Sequence, residues 1–300
     1  MMSQSHYFEP NANRPVVGRF APSPTGRMHA GNIYAALSAW LVAKSQGGTI
    51  VLRIEDLDRD RSKAEYISAV QRDFELLGLT WDHGPFFQHD RDEAYLEAFS
   101  ALERRGLVYP CFCTRADLHA ASAPHRGEKF VYPGTCRGLT AEQIAEKSMR
   151  RAPAQRLRVP DAAYSFEDMV QGRYEQNLAH DCGDFLIRRS DQAFAYQLAV
   201  VVDDGLMGIT QVVRGEDLLV STPRQLALFD LLGYPRPAYM HLPLLCDPEG
   251  ERLAKRHASL TLASLRDAGV SPAAVAGSLG WKAGLIGALA PAHPRNLLPA

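Results

Sequence analysis

Arg19-Phe20-Ala21-Pro22-Ser23-Pro24-Thr25-Gly26 and its continuation Arg27-Met28-His29-Ala30-Gly31-Asn32 form the stretch on which the fold turns. Before it, Val16 to Ala21 is a short β-rich segment. After it, Ile33 to Ala43 repeats its apolar residues with helical period, so the stretch reads as strand, loop, helix. A turn of small residues lets a polyphosphate approach the backbone, and the helix start beyond it offers unpaired N–H groups and a positive dipole end. His29 can donate to phosphate oxygens, and Gly31 leaves room for a base. Taken alone, a polar turn capping a helix would account for the same residues.

The pattern continues outward. Thr49 to Ile54 alternates like a strand, Ser62 to Leu77 and Asp90 to Arg105 carry helical periodicity, and Leu107 to Cys111 is strand-like. Strands alternating with helices imply an α/β, Rossmann-like parallel sheet with crossovers, whose ligands bind beyond the carboxyl ends of the strands. From Cys111 to about Tyr174 the alternation breaks down among Pro, Gly and charged clusters, which predicts an inserted subdomain. Regular pattern returns with Asp184 to Arg189, Ala195 to Val202, Ile209 to Val213 and a helix over Pro223 to Leu232. The expected organisation is a polar leader (1–15), the first half of a nucleotide-binding domain (16–110), an inserted subdomain (111–180) and the second half of the catalytic domain (181–245). A loop and short helical region (246–287) and a mobile, Pro- and Ala-rich tail (288–300) follow.

A chain of 300 residues with 46% hydrophobic and 22% charged content has the composition of an ordinary globular protein. Its formal net charge of −1 gives no global basic field for a nucleic acid, so such a contact must rest on a local patch. One basic run holds Lys147, Arg150, Arg151, Arg156 and Arg158 with no acidic residue among them. It can be a nucleic-acid contact or a solvated face. The leader lacks the apolar core of a signal peptide, and no apolar run suits a membrane span, so a cytoplasmic protein without a membrane partner is expected. Five cysteines, an odd number, point to metal or burial rather than a disulfide framework.

Far downstream lies Arg252-Leu253-Ala254-Lys255-Arg256, a basic loop whose lysine is suited to polyphosphate. Between the two motifs run Tyr196-Gln197-Leu198-Ala199-Val200-Val201-Val202-Asp203-Asp204, Val213-Arg214-Gly215-Glu216-Asp217-Leu218-Leu219 and Ser221-Thr222-Pro223-Arg224-Gln225. Together these segments resemble the glutamyl-tRNA synthetases, class I aminoacyl-tRNA synthetases, from Val16 to about Trp281. The two outer motifs resemble that family's ATP signatures, with Ala254 where Ser is usual and Asn32 where many class I enzymes carry a second His. The resemblance implies ATP binding by His29, Gly31, Asn32 and Lys255, with His29 and Lys255 catalytic and magnesium accompanying the nucleotide. It further implies that Arg19, Tyr196 and Arg214 hold the side-chain carboxylate of L-glutamate, Ser23 its α-carboxylate and Glu55 its α-ammonium. Phe20, Ala21 and Pro22 belong to the same pocket. Guanidinium groups suit an anionic side chain, and pairing its charge disfavours glutamine.

Cys111-Phe112-Cys113 with Cys136 is a candidate zinc site, because thiolates at short spacing suit a tetrahedral ion. The spacing leaves the fourth ligand open, with His119 and His125 as generic choices. The resemblance points instead to Tyr132, in a Tyr-x-x-x-Cys pattern found in a short subgroup of the family. In that subgroup the catalytic portion stands alone, and glutamate is joined to the queuosine base in the anticodon of tRNA(Asp). Only a short stretch follows Arg256, too little for an anticodon-binding domain, which favours the subgroup over a truncated ordinary glutamyl-tRNA synthetase or an inactive glutamate- or tRNA-binding relative. Queuosine-bearing tRNA(Asp), glutamate and ATP are the expected partners, and the protein is expected to be a monomer.

Overall fold

The computed structural model describes residues 14–114, 117, 131–246, 260–283 and 288–298. Lys255 with the rest of the second motif, the leader residues 1–13, and His119 and His125 lie outside the described residues.

Strands β1 (Val17–Phe20), β2 (Thr49–Ile54) and β3 (His83–Phe87) form a parallel sheet, with α1 (Ala30–Lys44) and α2 (Ala64–Leu77) as its crossovers. Helix α3 (Asp92–Arg104) and β4 (Val108–Cys111) follow. The second half brings β9 (Gln211–Gly215) and β10 (Ala238–Leu242), parallel to each other, with α5 (Tyr196–Leu206) before them and α6 (Thr222–Leu232) between them. The halves meet at β1 and β9, where Thr210 N donates to the Val17 carbonyl at 2.9 Å and Arg19 Nη1 to the Val213 carbonyl at 3.4 Å.

The period of two along β2 explains the layers. Ile50, Leu52 and Ile54 join the core built around α1 and α2, while Val51 joins the core around α3, α5 and α6. Arg53 shares the face of Val51 and is fully buried, its charge met by Asp204, Asp203 and Glu55. Val213 and Val212 divide between the two cores in the same way along β9.

The region 111–180, expected as one inserted unit, divides between two sheets. Strand β4 forms an antiparallel sheet with β5 (Ala154–Leu157) and β8 (Phe185–Arg188), whereas the hairpin β6 (Ala163–Asp168) and β7 (Gly172–Asn177) joins β10 and so extends the sheet of the second half. These strands are short and largely polar, so they lack the apolar alternation that marks β2. Helix α4 (Ala141–Arg150) carries Lys147 and Arg150, the start of the basic run, and has no buried residue. Arg156 departs from the surface patch in which the sequence puts it: it is buried, with Nη1 on the Asp184 carbonyl at 2.7 Å.

Helices α7 (Leu262–Asp267) and α8 (Pro272–Lys282) close the described chain, with one correction at its end. Residues expected in a mobile tail fold back as a 3-10 turn over Pro294–Leu297, and Leu297 enters the core beside Gly280. Two buried anchors, Pro294 and Leu297, hold this turn, which periodicity cannot reveal. No described helix is long and apolar enough to cross a membrane.

Candidate active site

The carboxyl ends of β1, β2 and β9 open into one cavity of about 720 Å³. It is lined by Arg19 to Ser23, Glu55, Tyr196 and Arg214, and also by His29, Gly31 and Asn32. The expected glutamate residues and the described part of the expected nucleotide site therefore line one cavity. The loop after β1 is tied to the end of β2 by Glu55 N donating to the Pro22 carbonyl at 3.0 Å.

His29 is the N-cap of α1. Its Nδ1 accepts from Gly31 N at 3.1 Å, and its own N–H donates to Asn32 Oδ1 at 3.1 Å, which completes a capping box. Desolvation holds the imidazole below its ordinary pKa, with Asp217 opposing. Since Nδ1 accepts, the proton of the neutral ring is on Nε2, available to an oxygen in the cavity. A Cβ on Gly31 would lie 3.1 Å from the His29 ring, so glycine there permits the cap to seat. The chain returns to this spot after the second motif: Ala30 N donates to the Leu260 carbonyl at 3.1 Å, and His29 bridges to Thr261. Leu245, on the other side of that motif, lines the cavity.

The two pocket arginines have different partners. Arg19 lies 3.4 Å from Asp204 Oδ1, and the same oxygen is 2.7 Å from Arg53 Nη1. Arg214 donates from Nε to His241 Nε2 at 3.0 Å, from Nη1 to the Tyr196 hydroxyl at 3.4 Å and from Nη2 to Thr222 Oγ1 at 2.8 Å. Burial pushes Tyr196 above the ordinary tyrosine pKa, so the phenol is neutral. Burial also raises the Glu55 carboxyl, while Arg53 and Arg19 pull it back. His241, Asp168, Asp204 and Arg53 are support residues that sequence reasoning missed. The only trace of Asp204 was its place in the segment Tyr196 to Asp204, and His241 stands next to Leu242-Pro243-Leu244-Leu245 without a mark of its own.

A second cluster lies at the end of β4. The sulfurs of Cys111, Cys113 and Cys136 are all within 4.8 Å of one another. The Tyr132 hydroxyl is 3.5 Å from Cys111 Sγ and 3.8 Å from Cys113 Sγ, and Cys113 and Cys136 are 3.6 Å apart. Four donors around a tetrahedral zinc at Zn–S of about 2.3 Å would stand about 3.8 Å apart, so these residues fit the ion. Arg156 places Nε 3.1 Å from Cys111 Sγ and its guanidinium 3.6 Å from the Tyr132 ring centre, where a cation offsets thiolate charge. Gly183, at φ 69°, has the Tyr132 carbonyl 2.4 Å from where a Cβ would stand, so only glycine lets the two backbones meet.

Residues 15–284 match the family described as tRNA synthetases class I (E and Q), catalytic domain. A glutamyl-Q tRNA(Asp) synthetase of Nitratidesulfovibrio vulgaris strain Hildenborough is 50% identical over 292 residues, covering 94% of this chain and 90% of that one. One of Symbiobacterium thermophilum is 47% identical over 298 residues, covering 95% and 91%. Among solved structures, a glutamate tRNA ligase from Elizabethkingia meningosepticum, in complex with its amino acid, matches with a TM-score of 0.76 at 27% identity. The match covers 89% of this chain and 60% of that one.

Proposed function

This chain belongs to the family of class I tRNA synthetase catalytic domains for E and Q, and from that premise we propose that it activates L-glutamate with ATP and transfers it to the queuosine base in the anticodon of tRNA(Asp). The observation that carries the activation half is the single cavity in which Arg214, a buried cation with no carboxylate partner among the described residues, faces the same space as the His29 helix start. The names of relatives about half identical over nearly the whole chain support the choice of acceptor.

The chain's own residues suffice to orient the first step. Arg214, Tyr196 and Arg19 hold the side-chain carboxylate, Glu55 the α-ammonium, and Ser23 the α-carboxylate. One oxygen of that carboxylate attacks the α-phosphorus of ATP in line; the bond to the bridging oxygen breaks, and pyrophosphate leaves with its electron pair. His29 Nε2–H and the Lys255 ammonium stabilise the charge that gathers on the polyphosphate, and Gly31 and Asn32 shape the floor for the nucleotide. Magnesium, when bound with ATP, spreads that charge further. In the second step a hydroxyl of the queuosine cyclopentene ring attacks the glutamyl carbonyl, forming an ester and releasing AMP. A splayed anticodon loop suits such a site, because its bases are unstacked. A zinc ion held by Cys111, Cys113, Cys136 and Tyr132 would fasten β4 to the turn at 132–136.

Glutamate-dependent ATP–pyrophosphate exchange tests the first step. Acid-gel analysis with labelled glutamate tests the second: label should enter tRNA(Asp) that carries queuosine and be absent from tRNA(Asp) that lacks it. Label at the 3′ end instead would overturn the assignment of acceptor.

A further inference from the structure

Arg214 is surrounded by neutral acceptors. Besides His241 Nε2, the Tyr196 hydroxyl and Thr222 Oγ1, its one further hydrogen-bond partner among the described residues is the Leu218 carbonyl, at 3.5 Å. A guanidinium that is 5% exposed would ordinarily recruit an anion, as Arg53 does from three carboxylates. A carboxylate, Asp168, stands one residue removed, behind the histidine. Its Oδ2 is 2.6 Å from His241 Nδ1, and its oxygens accept from the backbone N–H groups of Val170, Gln171 and His241.

The tautomer follows from the donors. Arg214 Nε–H can only donate, so His241 Nε2 carries a lone pair and the ring proton is on Nδ1, directed at Asp168. Desolvation and the adjacent Arg214 charge agree, holding His241 down to about pKa 4 against the pull of Asp168. The imidazole thus fixes Arg214 without adding a countercharge, and the carboxylate fixes the imidazole. Arg19 differs, since Asp204 already partly balances its charge.

We propose that His241, backed by Asp168, is the positioning residue that seats Arg214 through a neutral contact, so that Arg214 rather than Arg19 separates a carboxylate side chain from an amide. This rests on the reading above that Arg214 receives the side-chain carboxylate of glutamate. The two arginines then divide the work. Arg19 shapes the site around an already shared charge, and Arg214 supplies the charge the substrate must complete.

The test is pyrophosphate exchange with KM for glutamate, KM for ATP, kcat and the glutamate-to-glutamine preference measured on each variant. His241→Leu should raise the glutamate KM at least tenfold, leave the ATP KM unchanged and shrink the preference by a similar factor. His241→Gln, whose amide oxygen can accept from Arg214 while its NH2 donates to Asp168, should recover most of both. Arg214→Gln should erase the preference, and Arg19→Gln should retain more of it. If Arg214→Gln keeps the wild-type preference, the underlying reading of the pocket fails. If Arg214→Gln erases it but His241→Leu keeps the wild-type glutamate KM and preference, the role of His241 fails. Should His241→Leu not fold, Asp168→Asn set against His241→Gln carries the comparison, with a raised glutamate KM expected only for Asp168→Asn; equal values in the two would overturn the proposal.

Discussion

Arg19 and Arg214 enter one cavity with different electrical surroundings, and under the proposed function substrate choice follows from that difference. Removing one partner of a buried charge pair costs about 2 to 5 kcal/mol, so glutamate should be activated more than tenfold better than glutamine; equal exchange rates would count against the pocket. His241 also makes stability depend on pH. Its pKa is about 4 when folded, against 6.5 as the ordinary value, so between those pH values the unfolded chain binds a proton that the folded chain refuses. The stabilisation is whole above pH 6.5 and is lost as pH falls toward 4, by about 3 kcal/mol in total. Asp168, held below its ordinary pKa chiefly by hydrogen bonds that outweigh desolvation, acts in the same direction. Urea midpoints measured from pH 7 to 4.5 should fall less steeply for His241→Gln than for the wild type. At the second motif, Lys255→Ala should lower the rate of glutamate activation more than it weakens ATP binding, because an ammonium on the polyphosphate acts most strongly where charge develops. Wild-type turnover in that variant would remove Lys255 from the site. Arg19, Tyr196 and Arg214 could be singled out in the sequence because each stands in a long recognisable segment, and the structure brings them to one cavity. The Asp168–His241 contact spans 73 positions, and nothing local in a single sequence announces such a pair.

Among the elements, those with a buried apolar face declared themselves. The strand expected over Thr49 to Ile54 has those bounds in the structure, α1 contains the stretch expected over Ile33 to Ala43, and α2 matches Ser62 to Leu77 but starts two residues later, because burial on one or both faces imposes a period on the sequence. Strand β3, His-Gly-Pro-Phe-Phe with little burial, carries no such period, and neither does the β6–β7 hairpin. The thiol cluster was partly legible, since Cys111 and Cys113 are neighbours in sequence, but the reason Tyr132 reaches them lies in Gly183. Metal analysis of protein purified without chelator should find roughly one zinc per chain, as expected for thiolate-rich sites. Cys113→Ser should lower that stoichiometry, and Gly183→Ala should lower it too by forcing the Tyr132 backbone away. A wild-type value near zero would leave the cysteines as packing residues.

At the scale of the whole molecule, a net charge of −1 means that any tRNA must be drawn by a local patch. Lys147, Arg150 and Arg151 remain exposed on or next to α4, whereas Arg156 is withdrawn to the thiol cluster. Replacing the three exposed cations by alanine should weaken tRNA(Asp) binding and flatten its dependence on salt by about one unit of log–log slope for each phosphate no longer neutralised, while leaving pyrophosphate exchange unchanged. Filter binding at several salt concentrations reads the first effect, and an unchanged slope would move the tRNA surface elsewhere. Arg53, meanwhile, joins the two halves of the protein, since it stands on β2 and meets Asp203 and Asp204 on α5 as well as its neighbour Glu55. Its consequence belongs to inheritance. Loss of one member strands a buried charge at about 3 to 5 kcal/mol, so a lineage has almost no single-step route through these four positions. Divergent copies should therefore keep the quartet whole or exchange several members together, and the two halves of the gene should drift as one unit wherever they meet at this arginine.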